Sequence, residues 1–566
     1  MTFYEFKDSI VEYLNKEKEY CTLDIESNSQ LSNTEKEEKG LLIQSAKITE
    51  RNGNEYKLSV LVNNSKLRPG DKITLKNNRT SKRQKVTVIE NDFEHIFIET
   101  SHNLSDVDEY DIIVEESVLL DPFIALAENI YEGMPGASLL KQLAGIEVPK
   151  LCGFGSISQS HISPFSNKLN EKQQAACSAV LKRPSVYCIQ GPPGTGKTDV
   201  LATIANIFSN NDKEVLIISN THQAVNNALN KISKICPESH VVKIGEELKA
   251  QELDSNIIKS KTYKEYLGTR NKTSKKKTSP TNIVGMTFYS AILNLGLRNS
   301  GFKPSLILVD EAGQMPLAQA SLIGVFGCGS IIFIGDDKQM PPIFHEKLSD
   351  NPLSVSIFSY LCSKYPEIKS RLSVSYRMND EITQCVSRNF YETDGEKLVA
   401  SDFSKDRKLV LDTDSKDERI KNILASEKSI HVVNIGTDCQ CEDMNQAECE
   451  FISVLVKEAF DGCVKQNDLA IITPYRRQVK AIRSNLIASN ISELPLVDTV
   501  ERLQGQDVDL IIISFCTSSP MYFEANQNFI LNKNRLNVMI SRAKKKVVII
   551  TSDIIKPHID KLQFSR

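Results

Sequence analysis

Short, mostly apolar runs recur in the middle of the chain, and each is followed by a polar or glycine-rich segment. Four of them lie at 185–189, 214–218, 305–309 and 331–334. Runs of this length and composition are typical of parallel strands that are buried on both faces. A helical pattern over 200–208 follows the first run. The pattern therefore predicts an α/β fold built on parallel sheets.

The first part of the chain follows different patterns. Apolar residues near helical spacing over 2–18 predict a leading amphipathic helix, and the polar segment 26–39 ends that pattern. Over 40–116 the apolar residues instead form five or six short alternating runs, separated by turn signals such as Pro69-Gly70. That spacing predicts a small β-barrel or sandwich, which is followed by a helix over 121–132.

The first apolar run leads directly into the stretch 191–198, whose sequence is GPPGTGKT. A strand, a loop of spacing G-x-x-x-x-G-K-T and a helix make a P-loop, in which backbone N–H groups and the helix N-terminus surround a triphosphate. Lys197 is then expected to reach the β and γ phosphates, and Thr198 to ligate Mg²⁺. The sequence thus predicts an ATP and Mg²⁺ site at Gly191, Pro192, Pro193, Gly194, Thr195, Gly196, Lys197 and Thr198.

Polar residues follow the later runs, at the strand ends that form the ligand side of a parallel sheet. Asp310 and Glu311 come directly after the third run, in the order of a Walker B strand. Asp310 is expected to bind Mg²⁺, and Glu311 to polarise the water that attacks the γ-phosphate. The fourth run ends in GDDKQMPP, where Gln339 is the expected γ-phosphate sensor.

Composition adds little to this picture. The chain has 566 residues, of which 40% are hydrophobic and 25% charged, and its formal net charge is -3. That length is enough for roughly three or four domains. There is no run of about 18 apolar residues, and the first twenty residues are too acidic for a signal peptide, so we expect a cytoplasmic protein without membrane contact.

The thirteen cysteines are mostly scattered, which suits free thiols in a reducing compartment better than disulfides. Only Cys439, Cys441 and Cys449 form a cluster. Their spacing matches no common zinc site, and no histidine lies at the distance that zinc fingers use. We therefore favour incidental thiols over metal ligands.

Two segments of the chain are locally basic, although the net charge of the whole chain does not show it. The segment 66–85 contains eight lysines and arginines and one acid, Asp71, and the insertion over 246–281 contains a shorter basic run. Each segment is either a solvated loop or a contact to nucleic-acid phosphates. The candidate phosphate contacts in the first segment are Lys76, Arg79, Lys82 and Arg83.

The motifs resemble those of superfamily 1 helicases of the B subgroup, in the branch that contains the nonsense-mediated-decay RNA helicase and its DNA-acting relatives. The matching segments are LNEKQ at 169–173, GPPGTGKT at 191–198, DEAGQ at 310–314, GDDKQMPP at 335–342, SYRM at 375–378, ITPYRRQ at 472–478, VDTVERLQGQD at 497–507 and NRLNVMISRAK at 534–544. Gly313, Ser375 and Asp507 depart from the family's serine, glutamine and glutamate. No nuclease motif and no Cys/His-rich regulatory domain is recognisable, so a role in mRNA decay is not implied.

The resemblance implies two RecA-like parallel-sheet P-loop domains, with ATP between them and a single strand of DNA or RNA across their top. It assigns Gln173 to the adenine edge, Tyr376 to stacking on adenine and Asp507 to the ribose. Arg377 is expected to reach the γ-phosphate, and Arg542 to act as an arginine finger. The expected nucleic-acid contacts are Asn220, Thr287, Thr473, Pro474, Tyr475 and Thr499.

The resemblance also implies a β-barrel on helical stalks before the first RecA-like domain. The predicted division is a stalk helix and linker at 1–39, a barrel at 40–118, a returning stalk helix at 119–150, a first RecA-like domain at 151–362 with an insertion at about 246–281, and a second RecA-like domain at 363–566.

The implied activity is ATP-dependent movement along single-stranded nucleic acid, in the 5′ to 3′ direction of the family. Two alternatives stay open. A nucleic-acid-stimulated ATPase that remodels protein–nucleic-acid complexes would use the same residues, and a nucleotide-dependent switch would assemble protein partners through the barrel or the insertion. Backbone contacts and stacked bases are offered by DNA and RNA alike, so the expected contacts do not separate the two polymers.

Overall fold

The structure is a computed structural model of the chain. It describes residues 1–61, 63–91, 94–116, 118–150, 162, 165, 167–235, 240–250, 253–262, 264–265, 282–294, 302–392, 395–436, 439–491, 493–502 and 506–562. Parts of the predicted segments fall outside these ranges, among them 151–161 at the start of the first RecA-like domain, residues 251–252, 263 and 266–281 of the insertion, and residues 503–505 of the motif at 497–507.

Strands β1 to β21 lie, in chain order, at Leu42–Asn52, Glu55–Ser59, Lys72–Asn77, Arg83–Asn91, His95–Glu99, Glu109–Val114, Val186–Gln190, Val215–Ser219, His240–Ile244, Ile258–Ser260, Asn282–Thr287, Leu306–Val309, Ser330–Gly335, Lys369–Arg371, Val374–Ser375, Val399–Ala400, Ile430–Asn434, Leu469–Ile472, Leu496–Asp498, Val508–Ser514 and Ala543–Thr551.

The α-helices of the described residues lie at Phe3–Ser29, Asn33–Glu38, Asp121–Glu128, Ala137–Leu143, Glu171–Leu181, Lys197–Ser209, His222–Ile235, Phe288–Leu293, Leu317–Ala320, Ile357–Lys364, Asp380–Val386, Glu418–Leu424, Gln446–Asp461, Arg476–Ala488, Pro520–Ile530, Lys533–Ile540 and Lys556–Ile559. None of them is both long and apolar enough to cross a bilayer.

The leading helix is longer than its apolar pattern predicts. It runs from Phe3 to Ser29, and a second helix, Asn33–Glu38, forms inside the polar segment that was expected to end the helical region. The second helix begins with a capping box, in which the Ser32 hydroxyl accepts the Glu35 N–H at 3.3 Å and the Glu35 carboxylate accepts the Ser32 N–H at 2.9 Å. Capping of this kind stabilises a short helix that has no apolar face.

The prediction of a small β-barrel is confirmed. Strands β1 to β6 form a closed barrel in the order β1-β2-β5-β4-β3-β6, with all neighbours antiparallel. Alternate side chains point inward, as Ile96 and Ile98 of β5 do, and they make a separate hydrophobic core. The basic segment 66–85 is not a free loop, since it supplies strand β3 and the start of β4.

The leading helix and the helix Asp121–Glu128 flank the barrel in sequence and pack together. Lys18 Nζ lies 2.6 Å from Asp121 Oδ1, and Phe6 and Phe123 belong to the core that also covers one face of the first parallel sheet. The predicted helix over 121–132 ends at Glu128, and a further helix, Ala137–Leu143, was not predicted. These helices therefore connect the barrel to the domain that follows.

The prediction of two parallel-sheet domains is confirmed. The first sheet has the order β10-β9-β11-β8-β12-β13-β7-β14, and the second has the order β17-β21-β20-β18-β19, with parallel neighbours throughout. Strands β8, β12 and β13 are completely buried, as apolar runs between two layers of helices must be.

Strand β14 shows that the boundary predicted after residue 362, between the two RecA-like domains, lies too early in the chain. Its residues Lys369–Arg371 pair with β7, so the chain leaves the first sheet only after Arg371. The strand is short and polar, and backbone hydrogen bonds to its neighbour hold it at the sheet edge. An apolar pattern could not have revealed it.

Candidate functional site

The P-loop connects β7 to the helix Lys197–Ser209 at the carboxyl edge of the first sheet. Gly194 and Gly196 have φ values of 72° and 76°, a left-handed conformation that glycine adopts without strain. A Cβ on Gly191 would lie 2.1 Å from Cγ of Lys197, so a side chain there would displace the lysine. The loop therefore keeps the Lys197 chain folded across it, and Lys197 Nζ donates to the Gly191 carbonyl at 2.6 Å.

Two carboxylates follow β12 beside this loop. Asp310 is 6% exposed and accepts the Glu311 N–H at 3.0 Å, while Glu311 has φ of 53° and accepts a hydrogen bond from Gln314 Nε2 at 3.1 Å. Burial and the neighbouring Glu311 charge raise the pKa of Asp310 to about 7, against the opposing effect of Lys197. A buried carboxylate and a hydroxyl of Thr198 are hard oxygen donors of the kind that fit Mg²⁺.

The expected sensor Gln339 lies in the segment that follows β13. Its Nε2 donates to Asp336 Oδ2 at 2.6 Å, and Asp336 itself is 3% exposed. Burial raises the pKa of Asp336 to about 6, while Lys197, Tyr391 and Gln339 act to lower it. The sequence analysis assigned no role to Asp336, although it belongs to the same motif.

Two arginines of the second domain lie on the opposite side of the cleft. Arg377 Nη1 donates to the Ser541 carbonyl at 3.1 Å, and Arg377 Nε lies 3.6 Å from Asp507 Oδ2. Arg542 is 5% exposed, and its Nε has no hydrogen-bond partner among the described residues. Burial and Arg377 lower the pKa of Arg542 to about 10, whereas Glu311 and Asp507 oppose that shift.

A buried guanidinium without full pairing is costly, and an anion would relieve it. Glu311 acts electrostatically on both Arg377 and Arg542. The structure therefore brings Lys197, Asp310 and Glu311 of one sheet into one cleft with the two arginines of the other. Such a cleft can stabilise the charge that develops on a transferring phosphoryl group.

The residues expected at adenine also lie together. Gln173 Nε2 donates to the Thr195 carbonyl at 3.0 Å, and its Oε1 accepts the Asn170 N–H at 2.9 Å. Asn170 Nδ2 donates to the Tyr376 hydroxyl at 2.8 Å, and the Tyr376 N–H donates to the Gly194 carbonyl at 2.8 Å. The tyrosine ring is thus held beside the P-loop, with 38% of the residue exposed.

The residues expected to contact nucleic acid form two groups at strand ends. Asn220 and Thr287 follow or end the neighbouring strands β8 and β11. Thr473 and Thr499 follow the neighbouring strands β18 and β19, with Pro474 next to the former. The three threonines are 4%, 0% and 8% exposed in chain order, and Pro474 is buried as well. Among these five residues only Asn220 presents its side chain to solvent.

Tyr475 completes the second of these groups and packs among aromatic rings. Its ring lies 5.9 Å from that of Tyr522 in an edge-on arrangement and 5.6 Å from that of Phe529. Burial is the main cause that raises the pKa of Tyr475. Its ring is only partly exposed, so packing accounts for much of its surface.

The four basic candidates of the barrel divide into two pairs. Lys76 Nζ lies 3.5 Å from Asp111 Oδ2, and Arg79 Nη1 lies 3.8 Å from Asp108 Oδ1. Lys82 and Arg83 are exposed and have no ion pair within the described ranges. Acidic residues of the barrel therefore offset part of the charge that the sequence predicted to be free.

The cysteines of the cluster at 439, 441 and 449 differ in their exposure. Cys449 is buried in the helix Gln446–Asp461, whereas Cys439 is exposed. The described residues contain no set of three or more histidines, cysteines or acids placed to hold a metal ion.

Two AAA domain models match the chain, one over residues 168–351 and the other over 353–553. The DNA replication ATP-dependent helicase/nuclease of Schizosaccharomyces pombe is 28% identical over 457 residues, which cover 76% of this chain and 31% of that protein. An uncharacterized ATP-dependent helicase of Methanocaldococcus jannaschii is 26% identical over 471 residues, covering 69% of this chain and 68% of that one. The arterivirus nonstructural protein 10 (helicase) has a solved structure with 12% identity and a TM-score of 0.40, covering 91% of this chain and 79% of that chain.

The domain matches and the cleft define a P-loop protein with two RecA-like domains. These matches bear out the resemblance that its motifs predicted, to superfamily 1 helicases of the branch that contains the nonsense-mediated-decay RNA helicase and its DNA-acting relatives. The chain spans about a third of the length of the yeast relative, 31%.

Proposed function

We propose that this chain is an ATP-dependent helicase or translocase, which couples ATP hydrolysis to 5′ to 3′ movement along single-stranded nucleic acid. The observation that carries the proposal is the cleft, where Lys197, Asp310 and Glu311 of the first sheet face Arg377 and Arg542 of the second. A site divided between two domains is completed only when they approach, so nucleotide binding can drive a change in their arrangement.

Each residue has a proposed role in hydrolysis. Lys197 would hold the β and γ phosphates, and Thr198 and Asp310 would hold Mg²⁺, which would neutralise phosphate charge. Glu311 takes the proton of the attacking water, and Gln339 senses the γ-phosphate. Arg377 and Arg542 stabilise charge on the transferring group. The nucleoside is held by the remaining three residues, Gln173, Tyr376 and Asp507.

The nucleic-acid strand is proposed to run along the carboxyl ends of both sheets. Its contacts there are Asn220, Thr287, Thr473, Pro474, Tyr475 and Thr499. Because the three threonine hydroxyls are buried, we propose that backbone N–H groups at these strand ends supply much of the contact. Lys76, Arg79, Lys82 and Arg83 add phosphate contacts from the barrel. Several matching relatives are named for DNA replication, which favours DNA over RNA as the first substrate to test.

We propose a cytoplasmic protein with a stalk helix and linker at 1–39, a barrel at 40–118 and returning helices at 119–150. The first RecA-like domain extends from 151 to 371, with an insertion at about 246–281, and the second runs from 372 to 566. Barrel and insertion are also where protein partners would bind.

The proposal is tested by ATPase assays with and without single-stranded DNA and RNA, together with strand displacement from duplexes that carry a 5′ or a 3′ overhang. Glu311→Gln should reduce hydrolysis by about 10³ and retain ATP binding, because it removes the base and leaves the phosphate loop intact. Lys197→Ala should abolish both hydrolysis and binding. Hydrolysis near the wild-type rate in Glu311→Gln, or no effect of either nucleic acid on the wild-type protein, would refute the proposal.

A further inference from the structure

One oxygen of Asp336 accepts hydrogen bonds from two different domains. Gln339 Nε2, from the first domain, donates to Asp336 Oδ2 at 2.6 Å, and the Tyr391 hydroxyl, from the second domain, donates to the same oxygen at 2.5 Å. Asp336 is 3% exposed and Tyr391 is 0% exposed, so neither contact exchanges freely with water. A displacement of Tyr391 therefore changes the hydrogen bonding of the Asp336 carboxylate, which holds Gln339.

The Tyr391 hydroxyl is in turn bound by the helix Lys533–Ile540. Asn537 Nδ2 donates to the hydroxyl oxygen at 2.9 Å and to the Lys338 carbonyl at 2.7 Å. From the same helix, Asn534 Nδ2 donates to the Asp337 carbonyl at 3.2 Å. This helix ends two residues before Arg542, so the arginine and the tyrosine hydroxyl are linked through one rigid element.

The ring of Tyr391 is held independently of its hydroxyl. The Arg371 guanidinium carbon lies 5.5 Å from the ring centroid, and Arg371 Nη2 donates to the Tyr391 carbonyl at 3.2 Å. The ring also packs in the hydrophobic core of the second domain. Removing the hydroxyl alone should therefore leave the ring in place.

We propose that Tyr391 is a positioning residue, which transmits the arrangement of the second domain through Asp336 to the γ-phosphate sensor Gln339. We call Asp336, Tyr391 and Asn537 the tyrosine bridge. When the domains lie as they do here, the Tyr391 hydroxyl and the Gln339 amide share Asp336 Oδ2, which sets the direction of the Gln339 side chain. When they separate, the hydroxyl leaves with the second domain and Gln339 is released from that constraint. This inference rests on the proposed function, because it assumes that Gln339 acts on bound ATP.

A packing role would give a different pattern of mutant effects. If Tyr391 only stabilised the core, its removal would lower thermal stability and would act the same way whether or not Gln339 is present. If it positions Gln339, its effect should disappear when Gln339 is removed, because residues that act through one another are not additive.

The test is a double-mutant cycle on ATP hydrolysis by the full chain, with Tyr391→Phe, Gln339→Ala and the double variant. Tyr391→Phe should lower kcat about tenfold and change KM for ATP less than about twofold, since it removes orientation and leaves the nucleotide contacts. In the Gln339→Ala background the same substitution should change kcat less than about twofold. Asn537→Ala should behave as Tyr391→Phe does.

Tyr13→Phe is the matched control. Tyr13 is 1% exposed, lies in the leading helix away from the cleft, and its hydroxyl accepts one hydrogen bond from Ser354 Oγ at 3.1 Å. The control substitution should leave kcat unchanged. Two results would overturn the bridge and leave the proposed ATPase intact. One is that the effects of Tyr391→Phe and Gln339→Ala on kcat multiply in the double variant. The other is that the melting temperature of Tyr391→Phe falls far enough to account for its lower kcat. Absence of ATP hydrolysis in the wild-type protein would overturn the proposed function and the bridge with it.

Discussion

At the scale of single residues, the cleft holds ionisable groups in states that water would not favour. Asp310 is buried next to Glu311, and its pKa is raised to about 7, so the folded protein binds a proton there that the unfolded chain releases near pH 4. The stabilising effect of that proton is present at low pH. It is lost as the pH rises through 7, where a charged carboxylate must stay buried.

Asp310→Asn should therefore raise the melting temperature of the protein at pH 8, because it removes the free-energy cost of burying a charged carboxylate. The expected increase is roughly 2–4 °C for each kcal/mol of that cost. The gain should shrink below pH 6, where the wild-type carboxyl is already protonated. Thermal melts across this pH range are the measurement. Asp402→Asn is the control, because its side chain is 97% exposed and the Lys405 hydrogen bond lowers the pKa of its carboxyl. A gain for Asp310→Asn that is equal at pH 5 and pH 8 would contradict the pKa assignment.

At the scale of elements, burial decided which strands the sequence could reveal. Strands β8, β12 and β13 were predicted to within a residue or two because both of their faces are apolar. Strand β14 and the helix Asn33–Glu38 were missed, because backbone pairing and a capping box form them without any apolar pattern.

The same limit applies to the site. The P-loop and the acidic pair Asp310 and Glu311 are contiguous in sequence, so their spacing alone indicates them. Tyr391 contacts Asp336 across 55 residues and Asn537 across 146, and only the fold brings these partners together. Asp336 and Asn537 each lie in a motif that the sequence shows, but no periodicity or local motif indicates that Tyr391 joins them.

The hairpin of β3 and β4 carries the next prediction. Lys76 and Arg79 are paired with acids, whereas Lys82 and Arg83 are exposed without an ion pair in the described part of the chain. Replacing Lys82 and Arg83 with glutamine should weaken single-strand affinity and flatten the log–log salt slope by about one for each phosphate that the variant no longer binds. Salt titrations of binding to single-stranded DNA measure this slope.

The matched control is the same double change at Lys76 and Arg79, whose charges are already offset. It should have the smaller effect on both affinity and slope. Equal slopes for both double variants and the wild type would show that the hairpin is a solvated face, and the barrel would then act through protein contacts.

At the scale of the whole molecule, the barrel contacts both RecA-like domains. Lys249 Nζ of the first domain lies 3.4 Å from Asp71 Oδ1 of the barrel. Arg476 of the second domain donates through Nη1 to the Ser65 carbonyl of the barrel at 3.0 Å. Arg476 belongs to the segment whose resemblance implied contact with the nucleic-acid backbone, yet here its guanidinium binds protein. The barrel is thus placed to respond when the two domains change their arrangement.

Arg476→Ala should release the barrel from the second domain while the first-domain contact remains. Hydrogen exchange of the backbone amides at 63–65 should become faster, because the guanidinium that binds the carbonyls of this segment is removed, and amides of the β3 and β4 hairpin should change little.

Arg477→Ala is the control: its neighbouring guanidinium is 71% exposed and pairs with Asp443 at 3.0 Å, within the second domain. Asp71→Asn tests the other attachment and should act on the Lys249 side alone. If the amides at 63–65 exchange at the same rate in the Arg476→Ala and Arg477→Ala variants, the contact of Arg476 with the barrel does not hold the barrel in solution. If Arg476→Ala alone accelerates exchange there, the barrel is anchored to both domains and must bend or detach at one of them whenever the cleft opens.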